Sequence, residues 1–232
     1  MKYTAQVTRI KQETPTVRTV FFKVLSHDFS YTAGQYISIY FKDSNLLSGK
    51  AYSLSSAPEE KELSVTVKKI GDFSGRIHNL KPQDEFLISP AYGFFNVHSP
   101  APIVAIVAGV GIAPVRSIIC DELASNLARS IRVLLTAATS NELVFYNWLE
   151  LKQRSSPNLI ISLFTTQQAA KGATNRRLMV AKDIAPREIS GAVFYLCGSE
   201  QFVRDIWRQL VGAGVSDERI VTEIFFEDAP WM

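Results

Sequence analysis

Hydrophobic and polar positions alternate with a short period in the first part of the chain. Apolar residues recur at about every second position in six runs that are separated by turn residues: 3–10, 17–24, 35–41, 51–55, 63–69 and 85–88. This period is typical of strands with one buried face, and short strands at this spacing favour an antiparallel barrel. The pattern predicts one short helix in this part, around residues 75–79.

From Ile103 onward, continuous apolar runs alternate with longer helical stretches. The pattern predicts strands at 103–107, 131–135, 159–163, 193–196 and 220–221, and helices near 114–127, 141–154, 176–184 and 199–212. Strands that are apolar throughout are typical of a parallel sheet with both faces covered.

The segment Val97-His98-Ser99-Pro100-Ala101-Pro102 lies between the two patterns, and its two prolines among small residues predict a linker. We therefore expect two domains. The first is an N-terminal antiparallel six-stranded β-barrel over residues 1–99, and the second is a C-terminal α/β parallel-sheet domain over residues 100–232. A cleft between two such domains is the natural place for a ligand.

Composition narrows the classes of protein that the chain can belong to. Of the 232 residues, 47% are hydrophobic and the formal net charge is only +3, which excludes a disordered chain and does not favour nucleic-acid binding. Two cysteines are too few for a disulfide scaffold or for an iron–sulfur cluster, which needs about four thiolates. No metal site is predicted. The N-terminus lacks a signal-peptide pattern and no run reaches the roughly 18 apolar residues of a membrane span, so we expect a soluble cytoplasmic protein.

The strongest local motif is Gly109-Val110-Gly111-Ile112-Ala113-Pro114, at the end of the first predicted parallel strand. Glycines at this place permit a tight turn, and the following helix start offers N–H groups to a phosphate. The motif lacks the third glycine and the acidic residue of the usual dinucleotide fingerprint. A structural turn without a ligand is the alternative interpretation.

Three further segments carry possible chemistry, and each also has a purely structural interpretation. Tyr52 and Ser53 lie on a hydroxyl-rich strand, where a phenol ring can stack on a planar ligand. The stretch 67–76 has a strand that ends in a glycine–serine turn beside basic side chains, which favours a second phosphate site. Cys197 follows a predicted parallel strand, where a cysteine is more often a small buried apolar residue than a reactive group.

The order of these segments resembles the ferredoxin–NADP reductase family of flavoproteins over essentially the whole chain. The family's flavin motif R-x-Y-S/T is similar to Lys50-Ala51-Tyr52-Ser53, with lysine in place of arginine. Its G-Q-Y turn matches residues 34–36, and its G-x-x-S/T segment matches Gly71-Asp72-Phe73-Ser74. The close of the barrel, G-P-x-G-x-F, resembles residues 89–95, with serine for the first glycine and one inserted position.

The second half carries the remaining motifs. The family's G-T-G-I-A-P segment resembles residues 109–114, with valine in place of threonine. Its C-G-P segment resembles Cys197-Gly198-Ser199, and its terminal E-x-F matches Glu223-Ile224-Phe225. The resemblance thus makes the predicted barrel a flavin-binding domain and the α/β domain a pyridine-nucleotide-binding domain.

The resemblance also implies roles for individual residues. Tyr52 would pack on the flavin ring, Ser53 would bond to its N5 edge, and Cys197 would lie near the nicotinamide. The cofactor-binding residues that it implies are Lys50, Tyr52, Ser53, Val67, Lys69, Gly71, Ser74, Gly109, Val110, Gly111, Pro114, Cys197 and Gly198. Ser53, Cys197 and Phe225 are the catalytic candidates, with Phe226 and Trp231 as alternatives to Phe225 for covering the ring.

The implied activity is hydride transfer from a nicotinamide to flavin N5, which needs no obligatory general acid or base. His27, His78 and His98 lie in no catalytic motif and are expected to be surface or capping residues. The preferred hypothesis is a reductase that passes electrons to a separate iron–sulfur protein, such as a ferredoxin, or to an oxygenase component. A free-flavin reductase and a non-catalytic flavin- or nucleotide-binding electron-transfer subunit are the alternatives.

Two expectations concern the cofactors. FAD is favoured over FMN because a cradle at residues 71–74 suits a pyrophosphate. NADH is favoured over NADPH because residues 136–140 and 165–168, which follow the second and third strands of the nucleotide domain, contain no arginine or lysine for an extra phosphate. Lys171, Arg176 and Arg177 are the basic residues that could fold back toward that place.

Overall fold

The computed structural model describes residues 2–26, 28–41, 49–96, 99–125 and 129–225. The packing divides the chain into two compact units. The first comprises Met1–Asn96 with Ala113–Ala124, and the second comprises Val97–Ile112 with Ser125–Met232.

The first unit holds a six-stranded sheet with the strand order β4-β3-β6-β1-β2-β5, and all the paired strands are antiparallel. Its elements are β1 Tyr3–Thr14, β2 Val17–Val24, β3 Tyr36–Tyr40, β4 Lys50–Ser53, β5 Leu63–Lys68, α1 Asp72–Asn79 and β6 Glu85–Ile88. The six predicted strands are confirmed. β1 runs four residues further than predicted because it stays paired with β2 as far as the Thr14–Val17 pair beside the hairpin turn.

Alternation along these strands places every second side chain in one apolar core. Val7, Val20, Phe22, Ile37 and Ile88 are fully buried members of that core. Such burial stabilises the fold by about 1.5–3 kcal/mol for each large aliphatic or aromatic side chain. Helix α1 covers one part of this core through Phe73 and Ile77.

The second unit holds a parallel sheet of six strands in the order β10-β9-β8-β7-β11-β12. The elements from the linker onward are β7 Ile103–Ala108, α2 Ile112–Ala124, β8 Ile131–Ala137, α3 Tyr146–Ser155, β9 Leu159–Thr165, β10 Ala173–Asn175, α4 Val180–Asp183, α5 Pro186–Gly191, β11 Val193–Ser199, α6 Glu200–Gly212 and β12 Ile220–Phe225. Most of α2 packs in the first unit. The predicted parallel sheet is confirmed. None of the helices among the described residues is long and apolar enough to cross a membrane.

Three elements of this unit differ from the sequence prediction. The helix expected over 176–184 is limited to α4, and β10 precedes it at Ala173–Asn175. β10 is three residues long and exists through its pairing with β9, a contact that local periodicity does not reveal. Helix α5, which starts at Pro186, is also absent from the prediction.

Candidate functional site

Strand β4 displays the tyrosine of the predicted flavin motif on the surface of the barrel unit. β4 pairs with β3 so that Tyr52 lies opposite Ile37 and Ser53 lies opposite Tyr36. Ser53 is buried, whereas Tyr52 remains partly exposed. The strand therefore holds one buried hydroxyl and one accessible phenol ring on neighbouring residues.

The Tyr52 ring lies nearly parallel to the ring of Phe73, with a centroid distance of 6.3 Å and an interplanar angle of 14°. Phe73 also contacts Phe41, at a centroid distance of 5.2 Å. Two cations border these rings: Lys50 Nζ lies 6.0 Å from the Phe73 centroid, and the Arg76 guanidinium lies 4.4 Å from the Phe41 centroid. Phe73 is buried in the core, whereas the rings of Tyr52 and Phe41 are partly exposed. The arrangement therefore gives two accessible aromatic rings supported by Phe73, with positive charge at their edge, which suits a planar ligand that carries phosphate.

Neither Phe41 nor Phe73 was among the residues that sequence reasoning selected. Phe73 lies inside the G-x-x-S segment, so its position in that motif was the available signal. Phe41 follows β3 and meets Phe73 across 32 positions of sequence, and no local pattern indicates such a contact.

The start of helix α1 is organised by Ser74. The Ser74 hydroxyl accepts hydrogen bonds from the N–H groups of Ile70 and Gly71 and donates one to the Gly71 carbonyl. The first intrahelical bond runs from the Gly75 N–H to the Gly71 carbonyl at 2.8 Å. The N–H groups of residues 72–74 therefore precede the intrahelical ladder and are the groups that a phosphate can use.

An open groove borders this turn, and its lining includes Lys69, Gly71, Gly75 and Arg76. Gly75 leaves space there, since an added Cβ would meet only the end of the Lys69 side chain, at 3.8 Å. Asp72 also lines the groove. Two cations beside a helix start that has glycines at positions 71 and 75 nevertheless fit the pyrophosphate of FAD. Val67 differs from these residues, because its side chain is buried and its carbonyl bonds to His78.

In the second unit, the sheet order changes direction between β7 and β11. The chain places β8, β9 and β10 on one side of β7 and then returns to add β11 and β12 on the other side. Ligands of open α/β sheets bind outside the carboxyl ends of the strands at such a switch point. The two motifs predicted to hold the nucleotide, 109–111 and 197–199, both lie at this point.

The two motifs are in direct contact. A Cβ on Gly111 would lie 2.4 Å from the Cys197 carbonyl oxygen, so only glycine permits this approach of the turn to β11. Gly109 has a φ of +53°, and an added Cβ there would have nothing within 4 Å. Val110 is partly exposed on the same turn, and Pro114 is buried in the first turn of α2, where its missing N–H removes no helical bond.

Cys197 is completely buried in β11, between Val107 of β7 and Glu223 of β12. Burial raises the pKa of its thiol well above the ordinary value, and the nearby Glu223 carboxylate adds to the shift. The side chain is therefore an uncharged thiol at neutral pH. Phe225 ends β12 opposite Ser199, whereas Phe226 and Trp231 lie outside the described residues.

Comparison with known proteins finds one family model in each half of the chain. Residues 4–102 match the family model of an FAD-binding domain, and residues 105–208 match that of an oxidoreductase NAD-binding domain. The protein is therefore a flavoprotein oxidoreductase composed of an FAD-binding and an NAD-binding domain. It belongs to the ferredoxin–NADP reductase family, as its sequence motifs indicated.

Several relatives illustrate this membership. The chain is 30% identical to a flavohemoprotein of Vibrio cholerae over 207 residues, which cover 84% of this chain and 51% of that protein. It is 25% identical to ferredoxin–NADP reductase B of Sorangium cellulosum, with 87% and 88% of the two chains covered. The FAD/NAD-binding domain of a nitric oxide dioxygenase from Vibrio cholerae superposes with a TM-score of 0.87 at 26% identity, covering 96% of this chain and 98% of that one. The chain spans about half the length of the flavohemoproteins it matches.

Proposed function

We propose that this protein is an NAD(P)H-dependent flavoprotein reductase that passes electrons to a separate one-electron acceptor protein. One observation carries the proposal: each unit holds one of the two sites that such a reductase needs. The first unit has stacked aromatic rings beside a helix whose N-cap is a glycine, and the second has a glycine turn at the switch point of its sheet. The match to a ferredoxin–NADP reductase over nearly the full length of both chains supports a protein acceptor.

The family resemblance and the observed positions of the residues together support the following roles. Tyr52 packs on the flavin ring, Ser53 offers a hydroxyl to the N5 edge, and Lys69 and Arg76 neutralise the pyrophosphate beside the start of α1. Lys50 takes the place of the family's arginine and supplies a point charge rather than a bidentate fork. When bound, FAD accepts a hydride from the nicotinamide and can release electrons singly.

The nucleotide is proposed to bind at the carboxyl ends of β7 and β11. The turn 109–111 offers its backbone to the pyrophosphate. Gly198 lets the end of β11 pack closely on this turn's start, since a Cβ there would lie 2.9 Å from the Phe202 ring and 3.1 Å from the Cβ of Ala108. Cys197 contributes a neutral side chain whose packing holds this strand end in place. Phe225 is proposed to lie near the flavin, as the family's terminal aromatic residue does.

The geometry after the second and third strands supports NADH as the preferred coenzyme. Glu142 follows β8, and its carboxylate bonds to Thr139, which places negative charge where an extra phosphate would need a cation. Arg176 is held by both oxygens of Asp183, at 2.6 and 2.8 Å. A comparison of kcat/KM for NADH and NADPH tests this proposal, and a clear NADPH advantage would contradict it.

Steady-state oxidation of NADH by the FAD-loaded protein, with ferredoxins, heme proteins and free flavins offered as acceptors, tests the function. We expect saturable turnover with a protein acceptor and a loss of FAD affinity of about tenfold in Tyr52→Ala but not in Tyr52→Phe, which keeps the ring. Saturable reduction of free flavin without turnover of any protein would favour a free-flavin reductase. A protein that binds FAD and is not reduced by NADH or NADPH would exclude both activities.

A heme protein is the second candidate acceptor. The relatives that support it are named flavohemoproteins, and this chain matches about half the length of three of them. The acceptor panel therefore includes heme proteins beside the ferredoxins.

A further inference from the structure

Helix α2 is attached to the barrel unit by a buried arginine. Both terminal nitrogens of Arg116 donate to the Glu60 carboxylate, each at 2.9 Å, and Nη1 also donates to the Ser55 carbonyl. The Arg116 side chain is only 11% exposed. A bidentate pair of this kind fixes geometry as well as charge.

A second contact lies one residue further along the helix. The buried Ser117 hydroxyl donates to the Ser56 carbonyl, and the Tyr31 hydroxyl lies 3.0 Å from the same carbonyl. We call Arg116 and Ser117, with their partners Ser55, Ser56 and Glu60, the α2 anchor. Consecutive residues of α2 thus hold consecutive carbonyls of the segment that follows β4.

The barrel side of the α2 anchor is itself held rigidly. The Ser55 hydroxyl lies 2.8 Å from that of Ser64 and 3.0 Å from that of Thr66, and all three side chains are buried. The Ser56 hydroxyl accepts a bond from the Ser64 N–H at 2.9 Å. Buried polar groups that are mutually satisfied rigidify the backbone that carries them.

The two ends of the α2 anchor adjoin the two cofactor motifs along the chain. Ser55 comes two residues after Ser53, the last residue of the flavin strand β4. Arg116 comes five residues after Gly111, and the glycine turn leads without interruption into α2.

We propose that Arg116 is a positioning residue for hydride transfer. It holds α2 to the segment after β4, and with α2 it restrains the nucleotide turn that leads into the helix. The inference rests on the proposed function, because it assigns the flavin to β4 and the nicotinamide nucleotide to the turn. Reaction rates are sensitive to small displacements of reacting groups, and about 1 Å can change a rate by as much as a hundredfold.

The test uses Arg116→Met, which keeps the length of the side chain and removes its charge and donors. Glu60 is 36% exposed, so its carboxylate can be hydrated in the variant. Arg9→Met is the matched control, since Arg9 bonds to Glu62 at 2.8 Å in the same unit without touching the α2 anchor. Arg116→Lys retains the charge without the bidentate geometry and keeps the test valid if Arg116→Met does not fold.

The first readout is amide hydrogen exchange of the protein without cofactors. We expect exchange of residues 109–115 to accelerate about tenfold in Arg116→Met, by less in Arg116→Lys, and not at all in Arg9→Met. Unchanged protection of this segment in both Arg116 variants would overturn the proposal.

The second readout is the limiting rate of flavin reduction by NADH, measured by stopped flow on FAD-loaded protein. We expect this rate to fall about tenfold in Arg116→Met while the FAD content and the Kd for NADH stay within about twofold of the wild type. An equal fall in Arg9→Met, or a fall explained wholly by lost FAD, would overturn the proposal. Failure of the wild type to be reduced would refute the proposed function instead, whatever the exchange data show.

Discussion

His78 lies in surroundings that its sequence context does not indicate. The sequence predicts a place at the surface or at a helix cap, and this prediction is wrong. The residue is only 6% exposed, and its Nε2 lies 2.8 Å from the Val67 carbonyl oxygen. Burial lowers the pKa of the His78 imidazole, and the positive charges of Arg18 and Lys69 lower it further, against an opposing effect of the bond to Val67. The neutral ring is therefore the form that the fold favours.

This shift predicts a pH dependence of stability. Since the folded pKa lies below the unfolded value of about 6.5, the unfolded chain binds more protons between the two values. The contribution of His78 is complete above about pH 6.5 and decreases as the pH falls toward the folded pKa. The free energy of unfolding in urea should fall between about pH 7.5 and about pH 5.5, and it should fall less in His78→Gln than in the wild type. The glutamine amide can still donate to the Val67 carbonyl. The same difference in both proteins would contradict the assignment.

Gly111 supports a second prediction for a single residue. In Gly111→Ala the new Cβ would meet two backbone atoms of Cys197, at 2.4 and 2.7 Å, and backbone cannot rotate away as a side chain does. We expect a loss of about 1–3 kcal/mol in the free energy of unfolding. Gly212→Ala is the control, because nothing lies within 4 Å of its added Cβ, and it should be neutral or stabilising by up to about 1 kcal/mol. Equal stabilities of the two variants would show that the close approach is not required.

At the scale of elements, the start of α1 depends on one hydroxyl. The Ser74 side chain satisfies the N–H groups of Ile70 and Gly71, which the first helical turn leaves without intrahelical acceptors. The family resemblance implies that this serine lies at the flavin phosphates, and that role stays a prediction. What the structure adds is that its hydroxyl shapes the turn whose backbone would meet the phosphate.

Ser74→Ala should therefore weaken both the helix and the cofactor site. We expect about 1 kcal/mol less stability without cofactor and a lower FAD content after purification. Ser190→Ala is the control, since its hydroxyl bonds to the Arg187 carbonyl on the exposed helix α5 and its loss should change neither quantity. Urea unfolding and the absorbance of extracted flavin provide the measurements. A full FAD content in a destabilised Ser74→Ala would separate the two roles.

At the scale of the whole molecule, the compact units do not coincide with stretches of sequence. Ala113–Ala124 of α2 packs with the barrel unit, although it follows the first strand of the parallel sheet. A fragment of residues 1–102, which contains the whole match to the FAD-binding family model, therefore lacks Arg116 and Ser117 of the α2 anchor.

We expect this fragment to be less stable than one of residues 1–125, because Glu60 and the carbonyls of Ser55 and Ser56 lose their donors from α2. The urea midpoint of each fragment measures this difference in stability. Unfolding is followed by far-ultraviolet circular dichroism, because neither fragment contains a tryptophan. Identical midpoints would show that α2 adds nothing to the stability of the barrel unit.

The local periodicity of the chain was sufficient to predict an antiparallel sheet followed by a parallel one, since the spacing of apolar residues records which faces of each strand are buried. The order of short motifs was sufficient to indicate the family and the two cofactors, and the roles that it implies for residues such as Tyr52, Gly71 and Gly111 stay predictions. Contacts between distant residues lay beyond such reasoning: the stacking of Tyr52 on Phe73 beside Phe41, the approach of Gly111 to Cys197, and the attachment of Arg116 to Glu60. These depend on how the strands are ordered and how α2 packs, and neither leaves a periodic signal, because each joins segments that are 21 or more positions apart.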